Sequence, residues 1–174
     1  MYYLRKFDLA GICMMICCSC TPPFYYGFMC DEMTFWRRLW LGQVWSCCFL
    51  ALWFTMRPSQ KDFDAGWKIA ASYIVAGYST APGMIHFAIY MPEQFAKPAL
   101  MWPWLGGGII YALGAIIYAL QFPECCVKKV FDIWCHSHAI FHWFVLLAAC
   151  MHFWGSLKAF HERQLYQCPL PEVM

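Results

Sequence analysis

Gly106-Gly107-Gly108-Ile109-Ile110-Tyr111-Ala112-Leu113-Gly114-Ala115-Ile116-Ile117-Tyr118-Ala119-Leu120 carries no charge and no alternation of apolar with polar positions. Strands of a membrane barrel alternate over about ten residues, and a surface helix of a soluble protein shows a polar face every three or four. A run that is apolar on every face fits neither pattern and belongs to a helix surrounded by apolar material. The stretch extends from Ala99 to Phe122, which meets the roughly 20 residues a helix needs to cross a hydrocarbon core about 30 Å thick. Ile140 to Cys150 shows the same lack of alternation.

Working outward, four further stretches reach that length, at about residues 7–29, 35–56, 66–91 and 134–160. Short polar, proline-marked links separate them: Cys30 to Thr34, Arg57 to Ala65, Pro92 to Pro98 and Pro123 to Ile133. The reading is an all-α, polytopic membrane helical bundle, five helices in a single transmembrane domain over residues 1–174. Composition agrees. Of 174 residues, 62% are hydrophobic and 13% charged, against roughly a quarter charged in a soluble domain. The formal net charge is +2, with no basic run able to follow a phosphate backbone, so nucleic acid is excluded as a partner. Membrane lipid is the first partner expected.

Details of the spans follow from the same chemistry. Pro22-Pro23 and Pro82 fall inside apolar stretches, where they kink a helix and free backbone carbonyls. Gly106-Gly107-Gly108 with Gly114 gives the fourth helix a small-residue face for close packing. Trp36, Trp102, Trp134 and Trp154 sit near span ends, as interfacial anchors do. Cys13, Cys17, Cys18 and Cys20 lie within an apolar run and behave as small hydrophobes. Cys17-x-x-Cys20 has no partner pair at zinc-ribbon spacing. Cys125-Cys126 beside Lys128-Lys129 has the composition of a palmitoylation site.

Orientation rests on the basic residues. With the amino terminus in the cytoplasm, the inside segments hold Arg5, Lys6, Arg57, Lys61, Lys68, Lys128 and Lys129, and the outside segments hold Arg37, Arg38, Lys97, Lys158 and Arg163. That excess favours a cytoplasmic amino terminus. Arg5-Lys6 before an apolar run also resembles a cleaved signal peptide, but Asp8 at its mouth and the lack of a small-residue cleavage site argue against one.

Ionisable residues inside a span are expensive and usually functional. The candidates are Asp8, His86, His138, His142 and His152. Helices one, three and five cross in the same direction, so Asp8, early in the first, lies near the same face as His138 and His142, early in the fifth. His86 is about 20 residues into the third helix and falls near the opposite face. His152 is about 21 Å along its helix from His138. Residues four apart share a helix face, so His138 and His142 can point at one cation. With nitrogen ligands that cation is zinc, and Asp8 is placed to orient water or take its proton. Two readings stay open at this point: a metal pair, or buried histidines bonded to the backbone or to each other. A haem between His86 and His152 is a third, minor reading.

The stretch Pro123-Glu124, then Phe131-Asp132-Ile133-Trp134-Cys135-His136-Ser137-His138-Ala139-Ile140-Phe141-His142, resembles the signature before and within the last helix of the progestin and adipoQ receptor family, which includes the adiponectin receptors and haemolysin III-like proteins. Leu4-Arg5-Lys6-Phe7-Asp8-Leu9-Ala10-Gly11-Ile12 resembles the start of that family's third helix, with Tyr25-Tyr26 and Cys30 suiting its far end. Met84-Ile85-His86-Phe87 is similar to part of the fifth, and Met151-His152-Phe153 to the continuation of the seventh. The resemblance implies seven helices, the first two without a counterpart here, and a zinc ion near the cytoplasmic face held by three histidines. Two of these match His138 and His142; the third belongs to the family's second helix. The family aspartate that contacts the metal-bound water matches Asp8.

From this resemblance follow the functional expectations: a receptor-like membrane protein with an extracellular ligand and a zinc-dependent, ceramidase-like hydrolysis of a lipid amide. The alternative is a non-catalytic scaffold or truncated receptor fragment without bound metal. The groove left by two uncounted helices is expected to be filled by self-association into a homo-oligomer.

Overall fold

The computed structural model describes residues 2–56, 66–90, 98–127, 135–165 and 167–168. Among them the chain forms six α-helices: α1 (Tyr2–Gly27), α2 (Thr34–Met56), α3 (Gly66–Tyr78), α4 (Ala81–Tyr90), α5 (Pro98–Leu120) and α6 (Ser137–Leu165). A 3₁₀ turn, Asp31–Met33, joins α1 to α2. Four of the five expected helices therefore stand within a few residues of their predicted bounds. The protein is an all-α membrane helical bundle, an integral membrane protein that crosses more than once. Among the described residues, α1, α5 and α6 each contain a segment long and apolar enough to span a bilayer. Four tryptophans and Arg37-Arg38 lower the mean hydropathy of the 23-residue α2. The links at residues 57–65 and 91–97, and the Phe131 to Trp134 part of the motif above, lie outside the described residues.

The third expected helix, over 66–91, is two helices broken at Ser79-Thr80. Pro82 has no N–H to donate, so the backbone ladder is interrupted there. The hydroxyls of Ser79 and Thr80 donate to the carbonyls of Ala76 and Gly77, each at 2.7 Å. From α2, Gln43 Nε2 donates to Ser79 O at 2.9 Å, which satisfies a carbonyl that lipid could not. The double proline of α1 does not break it. Thr21 Oγ1 donates to Cys17 O and accepts from Trp45 Nε1 of α2, so polar groups around the prolines are paired within the bundle.

α1 packs against α2, α3, α4 and α6, while α5 lies between α3 and α6. The core is built from small residues and cysteines as much as from large ones: Cys13, Cys17, Cys48, Ala51, Ala76 and Ala148 are buried together with Phe24, Phe28 and Val44. Large apolar side chains such as Phe7, Trp53, Trp143 and Leu146 point outward. That inversion is expected where lipid is the solvent and small residues let helices approach closely.

The closest approach is between α5 and α6. A Cβ at Gly107 would lie 2.3 Å from the His152 ring, one at Gly106 2.8 Å from Met151 Cε, and one at Gly114 2.7 Å from Phe144 Cβ. Gly108 meets nothing within 4 Å; it faces an apolar cavity instead. Gly107 and Gly114 are thus required by contact with α6, while at Gly106 the atom met is the flexible end of Met151.

Each end of the bundle has its own closure. Arg37 Nη1 donates to the carbonyls of Phe28 and Met29 just past the end of α1, and Lys6 Nζ donates to Met56 O at the end of α2. Cations there offset the partial negative charge of a helix carboxyl terminus. At the far end of α1, Cys30 is bonded to Cys168, beyond the end of α6, with Cα atoms 5.7 Å apart. Arg163 Nη2 donates to Cys168 Sγ at 2.8 Å.

Candidate functional site

The early turns of α1 and α6 bring Asp8, His138 and His142 together. His138 Nε2 lies 3.0 Å from Asp8 Oδ2 and 2.9 Å from His142 Nε2, and His142 Nε2 lies 3.4 Å from Asp8 Oδ1. All three sequence-derived site residues therefore converge at one point, on the face opposite the Cys30–Cys168 bond. Two ligand atoms held about 2.1 Å from a zinc ion at the tetrahedral angle are about 3.4 Å apart. The three separations fall within about half an ångström of that value, so small ring rotations adapt the cluster to such an ion. Two imidazole nitrogens and a carboxylate are also a donor set suited to it.

The same contacts also fit hydrogen bonds and ion pairs within the triad. A ring nitrogen offers either one N–H or one lone pair, in the ring plane. His138 Nε2 has partners at 2.9 and 3.0 Å and can serve only one of them at full strength. A shared cation uses all three groups at once.

Neighbouring side chains hold the pair in place. The Tyr118 ring of α5 meets His138 edge-on at 5.3 Å and stacks obliquely on Phe141 at 5.7 Å. Ser137, the first residue of α6, is buried; its N–H and its Oγ both donate to Glu124 Oε1, at 2.8 and 2.9 Å. Glu124 sits in the turn after α5. Desolvation would raise its pKa, but bonds from its own amide and from Ser137, with the nearby His136, outweigh it and hold the carboxyl below the usual range. Neither Tyr118 nor Glu124 was singled out as a site residue by sequence: Tyr118 reads as part of an apolar span, and Glu124 reaches the site from thirteen residues upstream of Ser137.

From this cluster an apolar cavity of about 240 Å³ runs through the bundle. Asp8, His138 and Tyr118 line one end, Ile12 and Ile74 its wall, and Trp104 with His152 the other end. The break between α3 and α4 also opens onto it.

The remaining histidines stand elsewhere. Trp40 Nε1 donates to His86 Nδ1 at 2.9 Å, and the Trp36 and Phe28 rings pack on the same imidazole at 4.4 and 5.2 Å. His152 Nε2 donates to Trp104 O at 3.2 Å and meets the Tyr111 ring at 5.4 Å. His86 belongs to an aromatic cluster on α2 and His152 to the α5 interface, so the two imidazoles do not face each other as haem ligands would.

Comparison with known proteins follows from this arrangement. A family model described as haemolysin-III related matches residues 1–153. Heptahelical transmembrane protein 5 of Arabidopsis thaliana is 30% identical over 156 residues, covering 90% of this chain and 41% of its own length. The adiponectin receptor protein of Drosophila melanogaster is 32% identical over 174 residues, covering 95% of this chain and 37% of its own. Progestin and adipoQ receptor-like protein 1 of Caenorhabditis elegans is 31% identical over 173 residues, with 95% and 38% covered. The chain spans about two fifths of the length of these curated relatives. With a family model matched from the first residue through most of α6, and relatives at this identity aligned over nearly the whole chain, the protein belongs to the haemolysin-III related family of membrane proteins, the group of the adiponectin and progestin and adipoQ receptors.

Proposed function

We propose that His138 and His142 hold a zinc ion beside Asp8 and that this receptor-like protein hydrolyses a lipid amide of the ceramide type. The observation that carries this reading is the convergence of two imidazole nitrogens and both oxygens of one carboxylate, in contacts of 2.9 to 3.4 Å, at one end of an apolar cavity. Zinc supplies Lewis acidity, which activates water and polarises an amide carbonyl. The chain's own residues do the rest. His138 and His142 hold the ion through Nε2. The Asp8 carboxylate reaches both imidazoles and serves as the general base, accepting a proton on the oxygen nearer the attacking water. The cavity wall binds an acyl chain along Ile12 and Ile74, keeps bulk water away and leaves the amide beside Asp8.

Orientation supports the same reading. Disulfides persist in oxidising compartments, and Cys30–Cys168 lies at one end of the bundle. Free, exposed Cys125, Cys126 and Cys135 lie at the other, with the cluster. This distribution supports a cytoplasmic amino terminus and metal centre, with the bonded cysteines on the side where an extracellular ligand would bind.

The test is zinc stoichiometry of the purified chain beside His138→Ala and His142→Ala. One zinc per chain, lost in both variants that still fold, is the expected result, followed by release of fatty acid from a ceramide substrate. A chain without zinc favours the non-catalytic scaffold.

A further inference from the structure

We propose that Glu124 is a positioning residue for the metal centre: by capping α6 from the preceding turn, it fixes the helical turn that presents His138. This rests on the reading of Asp8, His138 and His142 as a metal site.

A helix amino terminus leaves its first N–H groups without partners inside the helix, and the usual remedy is a Ser, Thr, Asp or Asn side chain at the residue just before it. That residue here is His136. Its carbonyl starts the ladder, accepting from Ile140 N at 3.1 Å, but its side chain makes no cap and its Nδ1 is buried without a hydrogen bond. The cap comes instead from Glu124, whose Oε1 takes the Ser137 N–H at 2.8 Å and the Ser137 hydroxyl at 2.9 Å. An anion at this end is also aligned favourably with the helix dipole.

The turn that carries Glu124 is itself anchored. At the end of α5, Gln121 has a φ of 51°, Gln121 N donates to Tyr118 O, and Phe122 N donates to Ile117 O, both at 3.2 Å. This is a Schellman closure, and it sets the chain direction into Pro123 and Glu124. The chain Tyr118–turn–Glu124–Ser137 thus links the residue packed against one face of His138 to the residue preceding it.

The consequence is selective. Each helical residue turns by about 100° and rises about 1.5 Å. Fraying of the first turn therefore displaces His138, while His142, one turn further in, stays with the turn that Phe141 and Phe144 pack against Gly114 of α5. Loss of the cap separates the two ligands without unfolding the helix. Residues that orient a ligand typically change metal affinity by about 10–100-fold, and Glu124 falls in that class.

The experiment is a zinc dissociation constant measured by competition with a chromogenic chelator, on the full chain in detergent, for wild type, Glu124→Ala, Glu124→Gln and Ser137→Ala. Amide hydrogen exchange of the metal-free proteins is measured alongside. Glu124→Ala is expected to bind zinc about 10–100-fold more weakly and to exchange faster over residues 137–140 only. Glu124→Gln, whose amide oxygen still accepts both bonds, is expected to stay close to wild type. Should Glu124→Ala fail to fold, Ser137→Ala, which removes one of the two bonds, is expected to show a smaller loss in the same direction. Faster exchange with unchanged zinc affinity in Glu124→Ala would overturn the proposal, as would an equal loss in Glu124→Gln, which would assign the effect to charge. A wild-type chain that binds no zinc would defeat the metal reading itself, and this proposal with it, whatever the exchange data show.

Discussion

Gly107→Ala is the substitution whose outcome the packing fixes most tightly. The added methyl carbon would lie 2.3 Å from Cδ2 and Nε2 of His152 and 3.3 Å from Ala148 O. His152 cannot swing aside freely, because it is buried, bonded to Trp104 O and packed on Tyr111. Relief requires either that the bond to Trp104 break, costing about 1 kcal/mol, or that α5 and α6 separate, an overpacking cost of about 1–3 kcal/mol. Alanine in a helix recovers about 1 kcal/mol relative to glycine. The net expectation is a loss of up to about 2 kcal/mol, or up to roughly 8 °C in melting temperature for a chain of this size. Gly108→Ala, one residue on, has the same propensity gain and no atom within 4 Å, so it is expected to be neutral or stabilising. Melting of both variants in mild detergent, followed by size-exclusion fluorescence, separates them. A Gly107→Ala protein as stable as Gly108→Ala would refute the α5–α6 packing argument. In a His152→Ala background the penalty of Gly107→Ala is expected to shrink, since only the 3.3 Å approach to Ala148 O remains.

Other outcomes follow from single features. Gln121 adopts a φ of 51° at the end of α5, where an L side chain costs about 1–2 kcal/mol, so Gln121→Gly should raise the melting temperature; a lower one would mean the side chain is needed. Alkylation without reductant should leave Cys30 and Cys168 unlabelled, and Cys30→Ser should lower thermal stability in the same detergent assay, whereas Cys125→Ser should not. The carboxyl of Glu124 is held below its ordinary value, so its contribution is full above a pH of about 4.3 and is lost as pH falls through the lower folded value. The stability gap between wild type and Glu124→Ala should therefore narrow in acid by the share that the charge adds to the two bonds, while the gap between Glu124→Gln and Glu124→Ala should not change; an equal narrowing of both would mean that another group titrates.

How far the sequence could be read depends on the range of each signal. Lipid-facing helices are written in local hydropathy, so α1, α5 and α6 are visible as spans from Phe7, Ala99 and Trp134 onward without any partner. The i, i+4 spacing of His138 and His142 is equally local. Asp8 could be added to them because alternate spans run parallel, which is arithmetic on helix count. The break at Ser79-Thr80 was half legible: Pro82 announces a kink, but whether the chain kinks or restarts depends on Gln43 of α2 reaching Ser79 O. The Cys30–Cys168 pair was not legible, because Cys168 follows the last apolar span and 138 residues separate the two. Glu124 was quoted in the motif but not recognised as a cap, since its partner Ser137 lies in a different element and capping rules look only at adjacent residues.

The far ends of α1 and α6 are covalently joined, while their near ends meet at Asp8, His138 and His142. From Asp8 to the end of α1 is about 29 Å, so the two helices act as long levers on a common pivot. A change of one degree in the angle between them moves Asp8 relative to the histidines by about 0.5 Å, comparable to the whole adjustment the cluster needs to fit a zinc ion. Helices tilt to match the thickness of the bilayer they span. A bilayer thickness that tilts α1 against α6 would therefore be read out as a change in ligand spacing at the cluster.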